Sequence, residues 1–149
     1  MGSAPIFLPA KVIVHHAATS TDALNIWPAI RAYHVSKGWM DIGYHAGAGR
    51  SIAGQDTFDV IMGRPWDMPG AHTIGQNSVA LGICFLGNYE VAAPPQSLLI
   101  TGAKLIALWL RLFKIPSTEI YAHKFYNATE CPGALFPMDT LKALVEAAL

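Results

Sequence analysis

Charge is what this sequence has least of. Only 13% of its 149 residues are Asp, Glu, Lys or Arg, and ten basic residues balance ten acidic ones. A chain this neutral lacks the clustered Lys and Arg that bind nucleic acids or anionic membrane surfaces, so we expect neither as a partner. The hydrophobic content of 52% also excludes disorder on grounds of composition. We therefore expect a globular protein whose recognition is local.

Long apolar runs and export signals are also lacking. The most apolar segment, residues 98–113, is interrupted by Lys104 and Arg111, and it is shorter than the roughly 20 apolar residues of a membrane span. This pattern predicts a buried amphipathic helix. The first residues, MGSAPIFLPAK, lack the basic start, the apolar run and the small-residue cleavage site of a signal peptide. We therefore expect no membrane span and a protein made in the cytoplasm.

Cysteine is scarce, and the two present are too few for a disulfide framework. No repeat, linker or low-complexity stretch divides the chain. Its length is that of one typical domain of about 150 residues. A domain of this size buries about two thirds of the surface that its unfolded chain exposes. The sequence therefore predicts one domain over residues 1–149, which we expect to be a monomer.

The order of the predicted elements indicates the fold class. Apolar runs bounded by turn residues predict strands over 11–16, 44–49, 57–63, 78–86 and 120–123. Periodic segments predict a helix capped by Asn25 and ending at 36, a helix that opens at Pro94 and Pro95 and runs to 113, and a last helix over 139–148. This alternation predicts an α/β domain with a central sheet flanked by helices, and the hairpin 44–63 makes that sheet mixed.

One cysteine and the histidines are candidates for a metal site. Cys84 lies within a predicted strand, whereas Cys131 lies in a loop eight positions after His123. A thiolate and an imidazole can share a zinc ion, which needs at least three protein ligands. Because neighbouring strand residues face opposite sides, only one of His15 and His16 can be the third ligand. The spacing leaves three further histidines open: His34, His45 and His72.

Seven motifs then occur in the order of one known family. They are VHHAAT at 14–19, HVSKGWMDIGYH at 34–45, GRP at 63–65, GAH at 70–72, GQN at 75–77, LGICFLGNY at 81–89 and AHKFYNATECPG at 122–133. In these motifs the chain resembles the zinc-dependent N-acetylmuramoyl-L-alanine amidases, which include phage lysozyme-type amidases and peptidoglycan recognition proteins. The likeness runs from about residue 12 to residue 133, nearly the whole domain.

The resemblance implies a ligand set and a reaction. The zinc ligands of the family fall on His15, His123 and Cys131, which leave one coordination position open. The implied reaction is hydrolysis of the amide between N-acetylmuramic acid and the L-alanine of the peptide stem, with water activated by one Zn²⁺ ion. The resemblance places Tyr44 beside the metal, where its phenol can position water or donate to the oxyanion.

The remaining implied residues line the groove or depart from the family pattern. His72, Asn77 and Arg64 are predicted to contact the glycan or the peptide. Phage lysozyme-type members resemble one another in carrying Lys two positions before the cysteine ligand, where this chain has Thr129. A neutral hydroxyl there gives a weaker hydrogen bond than a charged group. Small residues over 46–49 replace the bulky apolar residues of the family, which leaves the strand register over 50–59 open.

Three readings of function follow. The first is an active zinc amidase, in particular a phage or prophage endolysin held in the host cytoplasm before its release to the wall; a cytosolic amidase that recycles wall fragments fits the same residues. The second is a non-catalytic peptidoglycan-binding module, which the presence of Cys131 disfavours. The third is a cysteine hydrolase with a Cys131–His123 pair, which Pro132 disfavours because it disrupts the helix N-terminus such nucleophiles use.

Overall fold

The structure is a computed structural model that describes residues 6–149. Its elements, in chain order, are β1 (Lys11–His16), α1 (Trp27–Ser36), β2 (Ala46–Arg50), β3 (Phe58–Met62), β4 (Ala80–Phe85), α2 (Gln96–Phe113), β5 (Ile120–Ala122) and α3 (Met138–Ala148). Short 3-10 turns precede α1 at Leu24–Ile26 and follow β5 at His123–Phe125. The predicted single α/β domain with a mixed sheet is confirmed.

The sheet brings the carboxyl ends of its four parallel strands together at one edge. Its strand order is β3-β2-β4-β1-β5, with β2 and β3 antiparallel and every other neighbouring pair parallel. In parallel sheets the carboxyl ends of the strands share one edge, where ligands bind. His15 lies near that end of β1, and His123 directly follows β5. The topology therefore joins two histidines that are far apart in sequence.

The two faces of the sheet carry different cores. Val12 and Val14 of β1 pack with the apolar faces of α2 and α3 in the larger cluster. The smaller cluster lies on the side of α1 and contains Trp27, Ile42 and Cys84. Because residues alternate along β1, His15 lies on the opposite face from Val14, on the side of α1.

The small residues of β2 make room for Trp27. A Cβ atom added to Gly47 would lie 2.5 Å from the ring of Trp27, which is 1% exposed. The indole occupies the space that a side chain at position 47 would otherwise fill. Its Nε1 donates a hydrogen bond to the carbonyl of Met62 on β3 at 3.2 Å. The run AGAG is therefore a packing surface, and β2 pairs with β3 in a regular register from Ala46 to Arg50.

Several predicted boundaries differ from the structure. Asn25 does not cap α1: it lies within a 3-10 turn, the helix begins at Trp27, and its N-cap residue Ile26 forms no side-chain capping bond. Strand β2 begins at Ala46, two residues later than predicted, so Tyr44 lies just outside the sheet. His123 likewise leaves β5 and starts the following turn. Tyr44 and His123 therefore lie just outside the hydrogen-bonded strands.

Helix α2 is long and apolar enough to cross a bilayer by length and composition alone, with a mean hydropathy of 1.3 over its 18 residues. Half of that window is buried in the fold. The helix contacts β2, β3 and α3, and a core helix passes the same test. Its packing is that of a core helix.

Candidate metal centre and active site

The structure brings His15, His123 and Cys131 together. One ligand atom from each residue lies within 4.8 Å of the others, and Nδ1 of His15 lies 3.8 Å from Sγ of Cys131. His15 comes from β1, His123 from the turn after β5, and Cys131 from the loop that follows. Two imidazoles and a thiolate are a ligand set that zinc accepts, with a fourth position left for water or substrate.

A buried chain of hydrogen bonds fixes the tautomer of His15. Nε2 of His72 lies 3.2 Å from the carbonyl of Ala80, which can only accept, so His72 carries its proton on Nε2. Its Nδ1 therefore accepts the Nε2–H of His15 at 2.9 Å. The hydroxyl of Thr73 lies 2.9 Å from the same Nδ1. His15 is left with a lone pair on Nδ1, directed toward Cys131.

The turn after β5 fixes His123 in the same way. The side-chain nitrogen of Asn127 donates to the carbonyl of Ile74 at 3.1 Å, and the N–H of Ile74 donates back to Oδ1 of Asn127. Oδ1 therefore faces Nε2 of His123, at 2.9 Å, and accepts its proton. The remaining Nδ1 of His123 is the ligand atom.

One segment, residues 70–77, thus supports the outer nitrogens of both histidines, directly for His15 and through Asn127 for His123. It supplies His72 to His15 and anchors Asn127, which holds His123. The segment is itself held by Asn77, whose Oδ1 accepts the N–H groups of His72 and Thr73 at 2.8 and 2.9 Å. We call this segment the 70–77 loop. Such outer contacts orient metal ligands and raise their basicity.

The ionisation of these groups fits a metal centre. Burial lowers the pKa of His15 well below its usual value, and the neighbouring His72 and His123 lower it further. Burial lowers the pKa of His72 to about 3. Both imidazoles are neutral, as a ligand and its acceptor must be. Burial raises the pKa of Cys131 to about 11, so its thiolate forms only with a cation beside it.

Tyr44 lies beside the triad as a neutral phenol. Its ring centre is 5.1 Å from that of His15. Burial raises the pKa of its hydroxyl well above the usual value, and the nearby Cys84 and Cys131 raise it further. The hydroxyl therefore keeps its proton and can donate it in a hydrogen bond. Thr129 also faces the site; its Oγ1 accepts the N–H of Cys131 at 3.2 Å, and its own hydroxyl hydrogen can point elsewhere.

The triad opens into a cavity of about 290 Å³, which is lined by Tyr44, Thr129 and the three ligands among others. A second cavity of about 480 Å³ shares six lining residues with it and extends over the 70–77 loop. The shared residues are Lys37, Trp39, Ala71, His72, His123 and Thr129. We call the two together the groove. Trp39 packs against Gly43 and also lines the groove.

Of the three predicted substrate residues, Arg64 lies outside the groove, and His72 and Asn77 line it with side chains that bond within the protein. Arg64 does not line the groove: its Nε donates to the carbonyl of Ile42 at 2.8 Å and a terminal nitrogen donates to that of Pro69 at 3.0 Å. A buried guanidinium must satisfy its donors inside the protein. His72 lines the groove, but both ring nitrogens are occupied. Asn77 lines it too, with its side-chain oxygen used by the 70–77 loop.

Sequence reasoning missed two groove residues. Asn127 lies four positions after His123, and a tight turn places residues at this spacing side by side. That spacing is the feature of the sequence from which the contact could have been predicted. Lys37 is the C-cap residue of α1 and lines the groove; it lies within the motif at 34–45, but the sequence indicated no role for it. His34, which the spacing left open as a ligand, accepts the N–H of Gly43 at 2.9 Å through its Nδ1. Its role is to hold the segment before Tyr44.

Curated relatives cover most of this chain. A 128-residue match to peptidoglycan-recognition protein SC2 of Drosophila melanogaster is 34% identical and covers 81% of this chain and 66% of that protein. A match to the human N-acetylmuramoyl-L-alanine amidase is also 34% identical, over 84% of this chain and 23% of the human protein. This chain therefore spans just under two thirds of the insect relatives and about a quarter of the human one.

Solved structures with this fold include enzymes and recognition proteins. The N-acetylmuramoyl-L-alanine amidase LysC from Clostridium intestinale superposes with a TM-score of 0.77 at 25% identity, over 96% of this chain and 91% of that chain. The bumblebee recognition protein PGRP-SA gives 0.76 at 30% identity, over 92% and 84%. Residues 6–134 match the family described as N-acetylmuramoyl-L-alanine amidase. With the candidate metal triad, the fold and the match over most of its length in agreement, this chain belongs to the N-acetylmuramoyl-L-alanine amidase family.

Proposed function

We propose that this protein is a zinc-dependent peptidoglycan hydrolase that cleaves the amide between N-acetylmuramic acid and the L-alanine of the stem peptide. The observation that carries the proposal is the convergence of His15, His123 and Cys131 on one cavity that also holds Tyr44 and Thr129. A zinc ion held there would supply Lewis-acid activation of water and of the scissile carbonyl. The chain spans only part of its curated relatives, so the activity is argued from this site.

The residues around the triad have separate tasks. The neutral phenol of Tyr44 donates a hydrogen bond to the carbonyl oxygen as negative charge develops on it. The hydroxyl of Thr129, in the loop before Cys131, donates a second hydrogen bond to the same oxygen. His72 and Asn127 keep the ligand nitrogens of both histidines unprotonated and aimed at one point. No Asp or Glu lines the groove among the described residues, so no carboxylate competes with the developing oxyanion for these donors.

The intact ligand set favours an enzyme over a binding module. A protein that only binds peptidoglycan has no need of a thiolate, and burial makes the Cys131 thiolate costly without a cation. The same raised pKa disfavours Cys131 as a nucleophile, because reactive cysteines have lowered pKa values. Metal removal separates the two catalytic schemes.

The test is digestion of purified muropeptides by the zinc-loaded protein, with products identified by mass spectrometry. We expect free L-alanine amino termini, and we expect chelator and Cys131→Ala each to abolish them. Tyr44→Phe should keep zinc binding and lower kcat about 100-fold, as loss of one oxyanion donor does. Glu130→Gln is the matched control, since Glu130 is exposed beside Cys131 and does not line the groove. Muropeptide binding without release of amino termini would show a recognition module instead.

We infer that the biological setting is wall lysis by a phage or prophage endolysin. Support comes from a second Clostridium intestinale structure, titled endolysine N-acetylmuramoyl-L-alanine amidase LysCS, which has a TM-score of 0.77 at 26% identity over 96% of this chain and 89% of that chain. The protein should clear suspensions of permeabilised bacteria, and Cys131→Ala should not. Hydrolysis of soluble muropeptides without clearing of intact sacculi would point to recycling of wall fragments.

A further inference from the structure

Three aromatic side chains form a cluster beside the groove. Tyr121 is on β5, and Phe125 and Tyr126 belong to the turn that begins at His123. The three ring centres lie 5.0 to 5.4 Å from one another, and Phe125 is 68% exposed. Single exposed apolar residues are common, but a contiguous group of them marks a binding site. We call these three rings the aromatic surface.

Polar contacts hold the aromatic surface in place. Nζ of Lys11 donates to the hydroxyl of Tyr126 at 3.0 Å and to Oε1 of Gln76 at 2.9 Å. The same Nζ lies 4.9 Å from the ring centre of Tyr126, a cation–π contact. The hydroxyl of Tyr121 donates to a carboxylate oxygen of Glu119. Because the rings are already fixed, a ligand that packs on them loses little of its binding energy to ordering them.

The aromatic surface continues the groove. Asn127 lines the groove and directly follows Tyr126. It pairs with Ile74 of the 70–77 loop, which also lines the groove and is 84% exposed. A polymer too long for the two cavities of the groove, of about 290 and 480 Å³, must continue over one of its rims. The rim formed by Asn127 and Ile74 leads to the aromatic surface.

We propose that the aromatic surface binds the glycan strand of peptidoglycan outside the groove. The proposal rests on the proposed function, which supplies a polymeric wall substrate. Sugar rings present C–H groups that pack on aromatic rings, together with hydroxyl and acetamido groups that need hydrogen-bond partners. Within the described part of the chain, Lys11 uses two of its three donors, and the side chain of Glu119 uses one of its two oxygens. Both can therefore bond to a sugar that lies on the rings.

The size and the charge of this surface favour a sugar over a protein or a membrane. Three aromatic side chains bury about 150–250 Å² each, which is less in total than the roughly 800 Å² per partner of a stable protein interface. Anionic membranes attract clusters of Lys and Arg, whereas Lys11 and the segment 119–130 together contain two lysines and two glutamates. A chain with no net charge has no bulk attraction to the wall. A non-ionic contact with the glycan supplies retention that charge does not.

The test measures binding to peptide-free glycan strands, which lack the stem peptide and so cannot be hydrolysed by the proposed activity. We would titrate the zinc-loaded protein with strands of alternating N-acetylglucosamine and N-acetylmuramic acid and measure Kd by calorimetry. Phe125→Gln should raise Kd about tenfold, as loss of an aromatic contact does, and Phe125→Trp should keep the affinity of the wild type. Leu112→Gln is the matched control, because Leu112 is an exposed apolar residue of α2 outside the groove. Its Kd should be unchanged, and salt should have little effect on any of these values.

The outcomes separate this proposal from the proposed function. An unchanged Kd in Phe125→Gln would overturn the glycan surface, as would a wild type that binds no strands. Loss of binding to phosphatidylglycerol vesicles in that variant, with strand binding intact, would assign the surface to lipid and also overturn it. Release of amino termini from soluble muropeptides is measured in parallel. Its absence, with strand binding that depends on Phe125, would refute the amidase activity alone.

Discussion

Replacing His72 tests whether the 70–77 loop builds the metal centre. His72 is not one of the three candidate ligands: its Nδ1 accepts the Nε2–H of His15, and its own Nε2–H donates to the carbonyl of Ala80. In His72→Ala the N–H of His15 loses its acceptor within a buried site. His15 can then take the other tautomer or rotate, and either change turns the Nδ1 lone pair away from Cys131. We expect weaker zinc binding with the three ligands intact.

The magnitude follows from the bond that is lost. A hydrogen bond to a charged or metal-polarised group contributes about 1.5–3 kcal/mol, which corresponds to about 10- to 100-fold in zinc Kd, the usual range for such outer contacts. The space that the imidazole of His72 occupies cannot close easily around the smaller side chain of alanine. Its wall at Gly82 is so close that an added Cβ would lie 2.6 Å from the ring of His72. The nearest other acceptor is the hydroxyl of Thr73, 3.3 Å from Nε2 of His15, so we expect a loss near the lower end of this range.

The assay is zinc competition with a chromophoric chelator on folded protein, with the visible spectrum of the cobalt-loaded form as a check of the ligand set. His72→Gln keeps an acceptor and should recover part of the affinity. His45→Gln is the control, because His45 is buried next to His72 but bonds Met68 and Gly82 instead of a ligand. Zinc affinity of folded His72→Ala within twofold of wild type would refute the reasoning.

Three further predictions concern other groups of the site. Asn127→Ala should raise the zinc Kd about tenfold by the same measurement, because the Nε2–H of His123 loses its acceptor; an unchanged Kd would remove Asn127 from the centre. Thr129→Lys adds a charged donor beside Cys131 and should raise kcat about tenfold on muropeptides; a kcat that falls with zinc affinity intact would contradict that. Burial lowers the pKa of His45 in the folded protein to about 4, below the value of 6.5 in the unfolded chain. The contribution of neutral His45 to the free energy of unfolding is therefore complete above pH 6.5 and is lost as the pH falls toward 4. In urea unfolding with chelator present, the free energy of unfolding lost over that range should be about 3 kcal/mol smaller in His45→Gln than in wild type; the remaining loss comes from the other buried histidines, His15 and His72 among them.

The sequence predicted the residues that carry chemistry better than the residues that hold them. Strand alternation separated His15 from His16, and the structure agrees: His16 turns away, and its Nδ1 accepts the N–H of Tyr89. The ligand triad, Tyr44 and Thr129 also lie together as the ordered motifs imply. These residue types are scarce and chemically distinctive, so a short sequence pattern is enough to find them.

The supporting residues could not be predicted because their direction depends on packing. His72 lies in a glycine-flanked turn, where no periodicity tells which way a side chain points, and it was expected to meet substrate. Arg64 was expected in the groove, yet the carbonyls left unpaired by the bend at 41–43 and at Pro69 capture its donors. The N-cap of α1 was misplaced because a 3-10 turn carries the chain into the helix, where no side-chain cap forms.

The 70–77 loop should also make the two histidine ligands energetically dependent on each other. The loop reaches His15 through His72, and it reaches His123 through the paired bonds between Ile74 and Asn127. If His72→Ala lets the loop shift, the support for His123 is already weakened, so a second change at Asn127 should cost less than it does alone. Residues in one network couple by about 0.5–3 kcal/mol, whereas separate sites add within about 0.5 kcal/mol. The double variant should therefore have a zinc Kd at least about threefold tighter than the product of the single effects predicts. Strict additivity would mean that each histidine is held separately, and that the loop contacts both ligands without linking them.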